Sequence, residues 1–339
     1  MAGYTDASYR QLIKRLAPQT VVFTELLSTD ALAHKGKKTM HMLSFDPVVE
    51  RPFIVQIFGK KPEHFLEAAK VIEQMGVDGI DINMGCPAAK VVSSCHGAAL
   101  IRQPELAAEL VHATVQAVSI PVSVKTRLGW DSAETLLSFG ALLEQAGAKA
   151  LSVHGRTYQQ QFRGAANWEP IYALKRHSTI PVIGNGDIAT GADALAKIGN
   201  LDGVMVGRAT FGNPWLLRDV ADAFASGHAD PVSSRDRLTF QEKIPLILEH
   251  CALAVATKGE KRGMMEMRRH LASYVKGFDG AAELRQKLVR VETLAEVTKV
   301  LSLESCSIKL STLNSPLTSA PSLPVPWWGR WRGSGCRCP

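Results

Sequence analysis

The sequence predicts a (β/α)8 barrel, with its first strand absent, followed by a small all-helical domain. Three observations carry that prediction. Over the first 215 residues, short apolar runs alternate with longer amphipathic stretches, the order of a parallel β/α fold. Polar or glycine groups stand at the end of nearly every run, whereas a doubly wound sheet gathers them at one switch point. Beyond about residue 215 no such run recurs and helical patterns take over.

The strand runs are 21–27, 53–59, 79–85, 121–128, 150–156, 181–187 and 203–209, each nearly continuous in apolar residues, as strands buried on both faces require. Their ends carry Glu25, Gln56, Asn83 with Cys86, Lys125 with Arg127, His154 with Arg156, Asn185 with Asp187, and Gly207 with Arg208. Helices are expected over 6–17, 62–75, 104–117, 133–146 and 190–198, the second opening on Pro62 and Glu63, which suit a first turn. A barrel needs eight strands, so the missing one is expected just before Met1, or the barrel is open at one seam. Residues 1–215 are therefore read as the barrel. Residues 216–303 are read as a helical domain, with helices over 213–226, 238–257, 263–275, 281–289 and 291–301. Residues 304–339, rich in Ser, Pro and Gly and without periodicity, are expected to be a disordered tail.

Composition narrows the class. Of 339 residues, 46% are hydrophobic and 21% charged, which excludes collagen-like and wholly disordered chains. No apolar run is long enough to span a membrane, and Met1–Asp6 lacks the basic-then-apolar order of a signal peptide. Six scattered cysteines make no disulfide framework, and Cys336 with Cys338 is too isolated for a zinc site, so no metal is expected. A cytoplasmic monomer is the expectation. The net charge of +7 is weak evidence for nucleic acid by itself, but five cations fall between Lys261 and Lys276 against one anion, Glu266.

Three groups of residues carry chemistry. Cys86 follows a buried strand, precedes Pro87 and lies in a loop at the barrel mouth, a placement for a reactive thiol; Cys95 in the same loop is its rival but stands at no strand end. Lys125 and Arg127 share one strand face and His154 ends the next strand, so cations converge where an anionic ligand or a charge-accumulating ring would sit. An internal ion-pair set with Glu25 or Asp81 is the alternative use of those cations. Asn185-Gly186-Asp187 and Gly207-Arg208 end the last two strands, the usual phosphate corner of such barrels. With Gln56 at mid-mouth, the set fits flavin mononucleotide.

The segments MAGYTDASYR, VQIFG, DINMGCPAAKV, VKTRLGW, SVHGRT, GNGDI and VMVGRATFGNPW, with MRRHLASYVKGFDGAAELR further on, together resemble the tRNA-dihydrouridine synthases over about residues 1–300. The resemblance implies an FMN-dependent barrel with a helical tRNA-binding domain, reducing the C5–C6 bond of tRNA uridines with electrons from NADPH. It implies that Cys86 protonates C5 and that Gln56 and Lys125 contact the flavin ring, with Met1 and Ala2 packing nearby. His154, Asn185, Gly186, Asp187, Gly207 and Arg208 would surround the ribityl chain and phosphate. Lys90 and Arg127 would face the substrate. Arg268, Arg269, His270, Tyr274 and Lys276, with Lys261 and Arg262, would contact tRNA, although Arg268 and Arg269 are adjacent and at most one can face the core. Relative to the family, the segment before MAG is absent, and the tail from about 304 has no counterpart. Two other readings stay open: an FMN barrel acting on a free pyrimidine, and an inactive RNA-binding homologue.

Overall fold

Strands that are apolar on both faces belong in the middle of a layered fold, and that is where they lie. The structure, a computed structural model, describes residues 1–230 and 232–306; beyond Cys306 the expected tail falls outside the described residues. The strands are β1 (Val22–Phe23), β2 (Leu27–Ser28), β3 (Phe53–Phe58), β4 (Gly79–Asn83), β5 (Val122–Arg127), β6 (Ala150–His154), β7 (Val182–Asn185) and β8 (Gly203–Met205). Both β1 and β2 pair with β3, so the run at 21–27 forms one interrupted strand position. From there every pairing is parallel and between sequence neighbours, β3 to β4 and onward to β8. Among the described residues β8 and β1 do not pair, which leaves the barrel open at one seam.

Alternation along each strand separates an outer apolar face from an inner polar one. Val55, Ile57, Ile80, Ile82, Val122, Val124, Leu151 and Val153 pack outward against Phe65, Ile72, Leu110, Leu143, Ile171 and Leu174 of the surrounding helices. Full burial of each such side chain contributes roughly 1.5–3 kcal/mol. Gly184 leaves room for the Trp168 indole and Leu201, which an added Cβ would strike. The alternate positions point into the barrel, and the register stacks them in layers. Gln56 lies beside Asp81 and Asp81 beside Ser123; next come Asn83, Lys125 and Ser152; Arg127, His154 and Asn185 form the layer at the strand ends.

Barrel helices begin as their sequences require. Pro62–Gln74 and Pro104–Ala117 carry proline at N1 with Glu63 and Glu105 in the first turn. Gly191–Ile198 opens with a capping box between Thr190 and Asp193. The helix Leu216–Ser226 packs on Gly191–Ile198 and adds Leu216 and Val220 to the barrel core. Chain assigned from sequence to the helical domain at residue 216 thus serves the barrel first.

A second core gathers Trp215, Ile247, Cys251, Met264, Met267, Leu271, Leu284, Leu288, Val297 and Leu301. Its helices are Phe240–Lys258, Glu260–Tyr274, Ala281–Leu288 and Leu294–Cys306, the first capped by the Thr239–Glu242 box. Phe240–Lys258 also lies against Ala7–Leu16, the helix at the start of the chain. At this junction Tyr9 donates to the Thr210 carbonyl at 2.7 Å, and Lys258 bridges Asp6 and Glu266.

Candidate functional site

The inward-facing layers and the loops at the strand C-ends enclose a cavity of about 1020 Å³. Cys86, Met1, Ala2, Gln56, Lys125, Arg127, His154, Asn185, Gly186, Asp187, Gly207 and Arg208 all line it. The same cavity continues into the open seam, where Val22, Phe23, Val204, Val220 and Phe224 make it apolar.

A chain of polar side chains fixes its inner wall. Gln56 donates to Asp81 at 2.7 Å, Ser123 donates to the other Asp81 oxygen at 2.6 Å, and Asn83 donates to Gln56 Oε1 at 3.1 Å. Burial pushes the Asp81 carboxyl upward, opposed by its bonds from Ser123 and Gln56. The Asn83 oxygen accepts from the Cys86 amide at 2.9 Å and from the Gly85 amide at 3.2 Å, which fixes the turn that presents the thiol. Gly97 backs that turn with φ +60, and a Cβ there would lie 2.9 Å from the Cys86 carbonyl oxygen.

Lys125 sits deeper, and its ammonium donates to Asn185 Oδ1 at 3.3 Å. Burial lowers its pKa to about 8 despite the opposing pull of Asp81. A buried ammonium with donors to spare calls for an acceptor in the cavity. His154 is held neutral, first by burial and then by Lys125, Arg127, Arg156 and Arg208 around it.

Arg127 is 2% exposed, and its guanidinium donates to the Gly85, Thr157 and Gln161 carbonyls at 2.7, 3.0 and 2.8 Å. Its fork is spent on joining the Cys86 loop to the loop after β6, although its side chain borders the cavity. Asp187 is likewise engaged, by Arg156 at 2.7 Å and the Ala166 amide at 2.7 Å. Arg208 is exposed and has no carboxylate partner among the described residues. Beside it, a Cβ on Gly207 would meet only the Met1 sulfur, at 3.5 Å, so the backbone there is open to a ligand. These features fit a flavin with a terminal phosphate: a floor with a cation short of acceptors, an amide wall, and an open glycine–arginine corner.

The helical domain separates the cations named from sequence. Lys261, Arg262, Arg269 and Lys276 are exposed, while Arg268 is half-buried and donates to the Val291 carbonyl at 3.2 Å. Arg269 reaches the Gly3 carbonyl at 2.8 Å and lies over the Tyr4 ring. His270 and Tyr274 are corrections to the sequence reading. They are 2% and 4% exposed, because the helix Glu260–Tyr274 turns His270 to the first helix and Tyr274 into the helical domain's own core. His270 stacks on Tyr9 and meets His250 edge-on, and the Tyr274 hydroxyl pairs with His250 Nδ1 at 3.1 Å. Neither can touch RNA from there. Lys90 stands exposed on the short helix Ala89–Val92 just past Cys86.

Asp81 and Phe162 were not expected as site residues. Asp81 carries the signal of a charged residue inside a strand that is buried throughout. Phe162 lies in a loop without periodicity, and nothing in its spacing marks it.

Known proteins point one way. The family described as "Dihydrouridine synthase (Dus)" matches residues 1–311. A Synechocystis protein named "Probable tRNA-dihydrouridine synthase 1" is 37% identical over 91% of this chain and 86% of its own length. A Mycobacterium tuberculosis protein named "Probable tRNA-dihydrouridine synthase" is 38% identical over 89% and 79%. The Pseudomonas aeruginosa "tRNA-dihydrouridine synthase B" is 37% identical over 86% and 87%.

Proposed function

The chain belongs to the dihydrouridine synthase family, and on that footing we propose that it reduces the C5–C6 bond of uridines in tRNA, with FMN as its flavin and NADPH as the electron source. One observation carries the reading: a thiol on a fixed turn and a buried ammonium line one cavity that has an open glycine–arginine corner. The flavin, when bound, would supply hydride to uracil C6.

The chain's own groups do the rest. Gln56 and Lys125 offer donors to a ring at the cavity floor, and the Lys125 cation offsets negative charge that accumulates there. Arg208, with the Gly186 and Gly207 backbone, would hold the phosphate. Cys86 delivers the proton to C5 as C6 gains hydride, and water returns the proton to sulfur afterwards. Arg127 keeps the Cys86 turn in register with the opposite loop. A uridine in folded tRNA must leave its stack to reach this cavity, at a cost of a few kcal/mol that backbone contacts elsewhere offset. The exposed Lys261, Arg262 and Lys276 are the helical domain's candidates for those contacts.

The test is direct. Purified protein should be yellow and, with NADPH, should form dihydrouridine in tRNA that lacks it. Cys86→Ala should keep its flavin and its reduction by NADPH, yet lose about 10²- to 10⁴-fold in dihydrouridine formation. Colourless protein, or Cys86→Ala at the wild-type rate, would refute the reading.

A further inference from the structure

We propose that Asp81 is a positioning residue that sets the direction of the Gln56 and Asn83 amides and, through them, the turn that presents Cys86. Its catalytic consequence rests on the tRNA reading above. Gln56 and Asn83 line the cavity, and Asp81 lies behind them, fully buried. A carboxyl without water is costly unless a cation pairs with it. Yet the two groups that donate to Asp81, Gln56 and Ser123, are both neutral, and Lys125 helps only at longer range. A barrel that needed only filling would hold an apolar residue there.

What the carboxylate supplies is direction. An amide side chain can turn over and exchange its donor for its acceptor, but a carboxylate only accepts and a backbone N–H only donates. The chain of bonds from Asp81 to Cys86 has one such group at each end. At the lower end Asp81 accepts from Gln56 Nε2. At the upper end the Gly85 and Cys86 amides both donate to Asn83 Oδ1. Asn83 Nδ2 must then donate, and Gln56 Oε1 accepts it. Strand register places Asp81 between Gln56 and Ser123, so the second carboxylate oxygen is held from the other side. Each amide is left with one orientation, and the thiol turn is fixed from inside the barrel.

The test uses the flavin-loaded full chain. Asp81→Val suits a strand and is close to aspartate in size, but leaves Gln56 Nε2 without its acceptor. Amide exchange at Gly85 and Cys86 should quicken roughly five- to tenfold more than exchange along β6. Per bound flavin, kcat for dihydrouridine formation should fall about 10²-fold with KM for tRNA unchanged. Asp81→Asn keeps an acceptor for Gln56 and can donate to Ser123, so exchange and kcat should both return close to wild type. Gln56→Met cuts the chain one link higher. It should quicken Gly85 and Cys86 as Asp81→Val does, and the double variant should add nothing. Three results would each overturn the proposal: wild-type exchange at Cys86 in Asp81→Val, equal quickening along β6, or Asp81→Asn as impaired as Asp81→Val. The second would make Asp81 a brace of the whole sheet, and the third a counter-charge for Lys125. Wild-type enzyme that forms no dihydrouridine would instead sink the functional reading, and the exchange rates would still decide the positioning role.

Discussion

An ammonium inside a barrel, as at Lys125, destabilises the protein around it until an acceptor arrives. Its pKa, lowered to about 8 by burial, gives the sign. The folded value lies below the ordinary lysine value, so the cost is full below about pH 8 and fades as pH rises toward 10.5. Replacing Lys125 by Met should therefore raise the thermal midpoint of the flavin-free protein, by an amount worth about 1–2 kcal/mol, while lowering flavin affinity tenfold or more. Calorimetry of the flavin-free variant and a flavin titration check the two halves. A fall in both would mean that Lys125 braces the fold rather than awaiting a ligand. Residue types at strand ends made Lys125, His154 and Cys86 legible in the sequence. Their neighbours were harder to see, because the register that sets Asp81 between Gln56 and Ser123 is a relation among three strands.

Elements were legible wherever one face repeats. The helix over 104–117 lies as its periodicity predicts, and every strand run holds a strand. Short pieces such as Thr29–Ala33 and Lys37–Met42 went unread because a helix of one turn has no repeat to show. The loop from Cys86 to Gly97 shows how an element can serve chemistry through backbone alone. Gly97 combines φ +60 with a close approach to the Cys86 carbonyl, and either fact disfavours a side chain. Gly97→Ala should cost about 1 kcal/mol in denaturant stability and lower kcat about tenfold or more, with flavin content unchanged. Steady-state kinetics beside a urea melt would check this, and an unchanged kcat would mean that the turn tolerates displacement.

On the scale of the whole molecule, what sequence could not tell was which helix face meets the other domain. Cations along Glu260–Tyr274 suggested an RNA face that included His270 and Tyr274; His270 packs on Tyr9 of the first helix, and Tyr274 lies in the helical domain's own core. Burial lowers the His270 pKa to about 4, with Asp6 opposing and Lys258 and Arg269 assisting, and His250 beside it is held well below its ordinary value. For a histidine lowered on folding, stability is full above about pH 6.5 and is lost as pH falls toward 4. The loss from His270 is of order 3 kcal/mol by pH 4. His270→Phe should keep the ring packing on Tyr9 and flatten that part of the acid limb, as thermal melts between pH 7 and 4 would show. An acid limb as steep as wild type would move the lability elsewhere.

The segment Met1–Tyr4 belongs to both halves of the protein. Met1 and Ala2 border the cavity, Gly3 is held by Glu25 and by Arg269 of the helical domain, and Tyr4 stacks on Phe211 against His270. A ligand that steadies Met1 and Ala2 consequently lends protection, through one short stretch of chain, to a helix it never touches. Amide exchange along Glu260–Tyr274 should slow when flavin is added, and equal rates with and without flavin would show the two halves to be independent. Loading the cavity would then also season the helical domain, which would be looser in its ligand-free state.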